Sequence, residues 1–86
     1  MSEVYAGIVS YNPDISRLKN NIESILPQVK KIYVVDNGSD NYEDIVGVCD
    51  VWGVSIIRNR ENYGIAKALN QIFEMVMNLH GGVLMF

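Results

Sequence analysis

Three polar segments each follow an apolar run: Ser10-Tyr11-Asn12, Asp36-Asn37-Gly38-Ser39-Asp40, and the stretch from Arg58 to Gly64. Together they offer hydroxyls, phenols, carboxamides, carboxylates and guanidinium groups, which suits them to holding a polar ligand by hydrogen bonds. Nucleophilic and metal chemistry have less to work with. Cys49 is the single cysteine and His80 the single histidine, so neither an intrachain disulfide nor a cysteine-rich metal site can form. Cys49 reads as a small, half-buried hydrophobe in a reducing compartment. His80 reads as a helix-end residue. Asp40, Glu43 and Asp44 make an acidic cluster that no histidine or cysteine joins, and solvated carboxylates explain it without a metal.

Such loops have to be delivered by rigid elements, and the hydrophobic pattern supplies them. Val4 to Ser10 reads as a buried parallel strand that ends in a polar loop. Asn12-Pro13-Asp14 then supplies a helix start, with Asn12 as the capping side chain, Pro13 in the first turn and the Asp14 carboxylate near the positive end of the dipole. Ile15, Leu18, Ile22, Ile25 and Leu26 follow at helical spacing until Pro27 ends the pattern. Ile32-Tyr33-Val34-Val35 is a second strand that breaks at Asp36. Tyr42 to Cys49 forms a short helix, interrupted by Gly47, and Val54 to Ile57 a third strand closing at Arg58-Asn59. From Gly64 onward, Ile65, Leu69, Ile72, Val76 and Leu79 define one helical stripe, flanked by Ala68 and Met75. His80-Gly81-Gly82 stops this helix, and Val83 begins a fourth strand.

Strands alternating with helices imply right-handed crossovers and an α/β fold: one domain over residues 1–86 built on a parallel sheet of about four strands with helices on both faces. Ligands bind such sheets beyond the carboxyl ends of the strands. All three polar loops lie at that edge. A domain this small buries only roughly 60 to 65% of the surface its unfolded chain exposes, so its stability is expected to be marginal.

Several function classes are disfavoured on composition and motif grounds. Net charge is -3 with the basic residues scattered, which is not the footprint of a nucleic-acid binder. The N-terminus has no signal-peptide pattern and no apolar stretch approaches the roughly 20 residues that span a bilayer, so a soluble, cytoplasmic chain is expected. The first strand is not followed by G-x-G-x-x-G or G-x-x-x-x-G-K-[ST], which sets aside nicotinamide-binding Rossmann domains and P-loop NTPases. A receiver domain would need an acidic pair after the first strand, and none is there.

The segments Ile8-Val9-Ser10-Tyr11-Asn12-Pro13, Val34-Val35-Asp36-Asn37-Gly38-Ser39 and Asn62-Tyr63-Gly64-Ile65-Ala66-Lys67-Ala68-Leu69-Asn70 resemble family 2 glycosyltransferases of the GT-A fold, most closely the rhamnosyltransferase-like branch. The resemblance covers nearly the whole chain in the expected order. It implies the Rossmann-like, nucleotide-binding half of such an enzyme, with Ser10, Tyr11, Asn12, Asp36, Asn37, Gly38, Arg58, Asn62, Gly64 and Ala66 as nucleotide-binding residues. Asp36 has the base-reading role: uracil and thymine present an imide N3–H donor, and an ionised carboxylate is an acceptor only. Ser10 and Tyr11 would contact base and ribose, with Tyr11 able to stack on the pyrimidine, while Asn12 is equally well explained as a helix cap. Gly64 and Ala66 leave room for close approach, and Arg58 would help neutralise the diphosphate or remain a solvated strand-end arginine. Asn70 is expected to support the loop.

The implied donor is a dTDP- or UDP-linked sugar such as dTDP-rhamnose, the acceptor a saccharide in polysaccharide biosynthesis. The full enzyme would use a divalent metal, Mg or Mn, and a carboxylate base that activates an acceptor hydroxyl to displace the diphosphate with inversion. In the family the fourth strand runs into an Asp-x-Asp motif that holds the metal. Here Val83-Leu84-Met85-Phe86 is the last segment, so the expectation is a portion truncated at the fourth strand, with no catalytic or metal-binding residue of its own and no turnover alone. It is also expected to form homo-oligomers through its uncovered C-terminal edge and the helix face bearing Phe73 and Met77. The competing reading is a non-catalytic remnant that serves as a nucleotide-binding or assembly module.

Overall fold

The structure is a computed structural model that describes residues 4–80 and 83–85. Its elements are β1 (Val4–Ser10), α1 (Ile15–Ile25), a 3-10 turn at Leu26–Gln28, β2 (Lys31–Asn37), α2 (Tyr42–Trp52), β3 (Ser55–Asn59), α3 (Ile65–Leu79) and β4 (Val83–Met85). The four strands pair in parallel in the order β3-β2-β1-β4. This is the α/β, Rossmann-like arrangement expected of the nucleotide-binding half of the GT-A fold.

Side chains alternate across a strand, and that alternation sorts the core into two layers. Ala6, Ile32, Val34 and Val54 face α1 and α2, where they pack with Leu18, Ile22, Ile45 and Cys49. Tyr5, Tyr33 and Val35 face α3 and meet Ala68, Ile72 and Val76. The register carries both rows to the carboxyl edge. Ser10 lies opposite Asp36, and Asp36 opposite Arg58, on the α1/α2 side. Asn37 lies opposite Asn59 on the α3 side.

Local details depart from the sequence reading in four places. Asp14, not Asn12, caps α1: its side chain accepts the Arg17 N–H at 3.2 Å, while Asn12 sits outside the helix with φ of 44°. Asp36, Asn37, Arg58 and Asn59 belong to strands β2 and β3 and not to the loops after them, because parallel pairing continues to their last residues. Helix α2 runs on to Trp52, and Gly53, at φ of 66°, ends it by returning its N–H to the Cys49 and Asp50 carbonyls; a Cβ at Gly47 would meet open space, so Gly47 costs propensity only. On α3 the expected stripe is buried only at its centre. Ile65 and Leu79 are 68% and 64% exposed, since they are the first and last residues of the helix and the sheet residues packed against it face its middle. Phe73 and Met77 are exposed, as expected.

His80 closes α3 by donating its N–H to Val76 at 2.9 Å. Its ring stacks on Tyr5 at a centroid separation of 4.1 Å, and Nε2 lies 2.6 Å from the Tyr33 hydroxyl. The helix-stop role expected of Gly81-Gly82 and the interface role expected of Phe86 lie outside the described residues.

Candidate functional site

Burying a carboxylate is costly unless donors surround it. Asp36 is 0% exposed, and the chain provides three donors. Oδ1 accepts the Ser10 hydroxyl at 3.0 Å and the Ser39 hydroxyl at 2.5 Å, and Oδ2 accepts the Ser39 N–H at 3.0 Å. The last two form a local turn of the kind aspartate favours three residues before its partner. The Ser39 oxygen in turn accepts the Asn12 N–H at 2.7 Å, and Asn12 Oδ1 accepts the Asp40 N–H at 2.8 Å. Asn41 Nδ2 donates to the Pro13 carbonyl at 3.0 Å. The loops after β1 and β2 are therefore tied to each other, with Asp36 beneath the join.

Gly38 brings the third loop into the same place. It has φ of 81°, and a Cβ there would lie 2.7 Å from the Glu61 Cα, so both the left-handed turn and the close backbone approach require glycine. Beside it an open cleft of about 610 Å³ is lined by Gly38, Ser39, Asp40, Arg58, Asn59 and Arg60. The Arg58 guanidinium carbon lies 4.1 Å from the Tyr42 ring centroid, a stacking arrangement that suits arginine's planar group.

On the other face the edge is neutral. Asn37 and Asn59 are 1% and 5% exposed, and Asn59 Nδ2 donates to Asn37 Oδ1 at 2.9 Å. Asn59 and Gln71 exchange two hydrogen bonds, at 2.8 and 2.9 Å. Asn37 Nδ2 donates to the Gly64 carbonyl at 3.3 Å, and Asn62 Oδ1 accepts the Gly64 N–H at 2.8 Å.

The ten residues expected at the site thus gather along the carboxyl edge, in different situations. Ser10, Asp36 and Asn37 are buried, whereas Tyr11, Asn12, Arg58, Asn62, Gly64 and Ala66 are exposed and Gly38 is half-buried. Asn70 is exposed on α3; the residue of that helix seen supporting the edge is its neighbour Gln71. Ser39, Asn59 and Gln71 were not foreseen. Ser39 could have been, since a serine three residues after an aspartate is a turn signal. Asn59 and Gln71 could not, because only strand register brings Asn59 opposite Asn37 and only the rotation of α3 points Gln71 at it.

Among the described residues no group of three or more His, Cys, Asp or Glu side chains is assembled to hold a metal ion, so these residues do not fit the divalent metal that the resemblance implies. No described helix is long and apolar enough to cross a membrane. A family model described as glycosyl transferase family 2 matches residues 5–78. No curated protein and no solved structure matches the chain.

Proposed function

The chain belongs to glycosyl transferase family 2, and from that premise we propose that the carboxyl edge of its sheet binds the nucleoside diphosphate of a UDP- or dTDP-linked sugar donor. The observation that carries this reading is the buried Asp36 carboxylate, held by hydroxyls from the end of β1 and from the loop after β2, beside a cleft that contains two arginines. A carboxylate has about four acceptor positions. Three are filled and Asp36 has no exposed surface, so a pyrimidine N3–H would reach Oδ1 by displacing the Ser39 or Ser10 hydroxyl that holds it. Uracil and thymine offer that donor and cytosine does not. Tyr11, which is 54% exposed, is free to stack on the base. Arg58 and Arg60 supply the positive charge that a diphosphate needs.

The donor sugar we favour is rhamnose, as dTDP-rhamnose, transferred to a saccharide acceptor in polysaccharide biosynthesis in the cytoplasm. A divalent metal, Mg or Mn, and a carboxylate base would come from residues other than those described. The binding role is accordingly assigned to these 86 residues and turnover is not. Self-association of the chain is part of the same proposal, supported by the exposed Phe73 and Met77 face.

Isothermal calorimetry with UDP, dTDP and CDP tests the reading. UDP and dTDP should bind and CDP should bind more weakly, with Asp36→Asn reducing that preference; equal binding of all three would remove the base-reading role of Asp36. The alternative, a non-catalytic nucleotide-binding or assembly module, shares this binding result and differs in giving no glycosyl transfer within any longer protein that contains the chain.

A further inference from the structure

We propose that Asn59 and Gln71 are positioning residues for nucleotide binding: acting through Asn37, they hold the Gly64 peptide, and with it the loop bearing Asn62, against the carboxyl edge of the sheet. This inference rests on the nucleotide reading of that edge. It begins from a choice that packing does not require. Deeper on the α3 face every buried side chain from the strands is aliphatic or aromatic, and the next row outward is a pair of buried carboxamides. Amides in such a place cost desolvation unless each is paired, and a fully paired polar network specifies one geometry.

The pairing here has a direction. Asn59 uses both N–H donors, one to Asn37 and one to Gln71, and accepts from Gln71 Nε2. That leaves Asn37 with its oxygen occupied and its Nδ2 directed to the Gly64 carbonyl. Reversing any one amide would set donor against donor or acceptor against acceptor along the chain. Gly64 is where such fixing has an effect. At φ of 88° and ψ of 165° it occupies a region open essentially to glycine, and such backbone persists only when its surroundings over-determine it. Asn37 grips its carbonyl, Asn62 its N–H, and the same carbonyl accepts the Ala68 N–H at 3.3 Å to start α3.

The loop so anchored includes Glu61, whose backbone lies against Gly38, and Arg60, which lines the same cleft as Gly38, Ser39 and Arg58. A shift of Gly64 therefore moves the wall of the proposed diphosphate site. Gln71, one full turn or more along α3 from that loop, acts on the ligand only through this relay.

The test is an NMR titration of the isotope-labelled chain with UDP, well below its thermal midpoint. It compares the wild type with Gln71→Met, which removes both amide bonds without adding charge, and with the double variant Asn59→Gln/Gln71→Asn, which exchanges the two amides. We expect Gln71→Met to shift the Gly64 amide resonance of the free protein and to weaken UDP binding roughly tenfold, the scale of one lost buried hydrogen bond. The exchange should recover most of that loss. An unchanged affinity in folded Gln71→Met, or a double variant that regains the thermal midpoint but not the affinity, would overturn the inference. Should Gln71→Met fail to fold, Gln71→Glu replaces it under the same criteria. Absence of UDP binding by the wild type removes the nucleotide reading and this inference together, whereas wild-type binding that the variants leave untouched removes this inference alone.

Discussion

The two faces of the sheet end differently. On the α1/α2 face the last row is Ser10, Asp36 and Arg58, a charged row whose carboxylate is held by the Ser10 hydroxyl within the row and by the hydroxyl and N–H of Ser39 in the loop after β2. On the α3 face the last row is Asn37 and Asn59, neutral amides held by each other and by a helix residue. A buried charge has a strong preference about what approaches it and costs much if its donors are lost. Neutral amides cost less and chiefly fix geometry. Under the proposed nucleotide reading, the first face would select ligand polarity and the second would fix loop position.

The sharpest way to break that contrast is Asp36→Ala. Losing the acceptor strands three buried donors, and we expect about 3 to 5 kcal/mol of destabilisation, read as a shift of the urea midpoint. Since a chain of this size has on the order of 4 to 13 kcal/mol in total, the variant should be close to unfolded at 37 °C. A smaller loss than that of Asn59→Ala would mean that the charged row is not the more demanding one. Gly38→Ala comes next, at about 2 to 3 kcal/mol, because the substitution meets both a left-handed φ and the Glu61 backbone. Its effect should reach both faces through the third loop and so lower UDP affinity as well.

Alkaline titration separates the faces further. Burial, reinforced by the nearby Asp50 and Asp36 charges, pushes the Cys49 thiol up from 9.0 to about 11. The folded state then holds the proton more tightly than the unfolded state, so this contribution is complete below about pH 9 and is lost as pH rises to about 11, up to about 2.7 kcal/mol. Burial and the neighbouring Tyr5 also raise Tyr33, on the α3 face. Its contribution is lost later, above its ordinary value of 10.0. Urea melts from pH 8 to 11 should therefore show a loss of stability that begins near pH 9 and is reduced by Cys49→Ala, with a further loss beginning above pH 10 that Tyr33→Phe reduces; a loss between pH 9 and 10 that Cys49→Ala leaves unchanged would contradict the assignment. The smallest expected effect is that of Asn59→Ala, about 1 to 2 kcal/mol for the unpaired amides it leaves, with a midpoint shift well below that of Asp36→Ala.

The order and type of the strands and α-helices were legible in the sequence, because runs such as Ile32-Tyr33-Val34-Val35 and the spacing of Ala68, Ile72 and Val76 are periodic signals within a single segment, whereas the 3-10 turn at Leu26–Gln28 was not. Boundaries were less legible. Asn12 and Asp14 both suit a helix cap, and only the geometry of the turn, with Asn12 at positive φ and engaged by Asp40, left the cap to Asp14. The extension of β2 to Asn37 and β3 to Asn59 depends on ladder hydrogen bonds to a neighbouring strand, which no local pattern reports.

The alternation of strands and helices, the parallel sheet that it implies, and the delivery of three polar loops to one edge could all be read along the chain. Those follow from residue type and period, which are properties of consecutive residues. The tertiary structure alone decided that Asp36 lies under Ser10 and Ser39, that Asn59 stands opposite Asn37, and that Gln71, not Asn70, meets them. Each of these depends on strand register or helix rotation, and a shift of one residue would turn the same side chains to the opposite face.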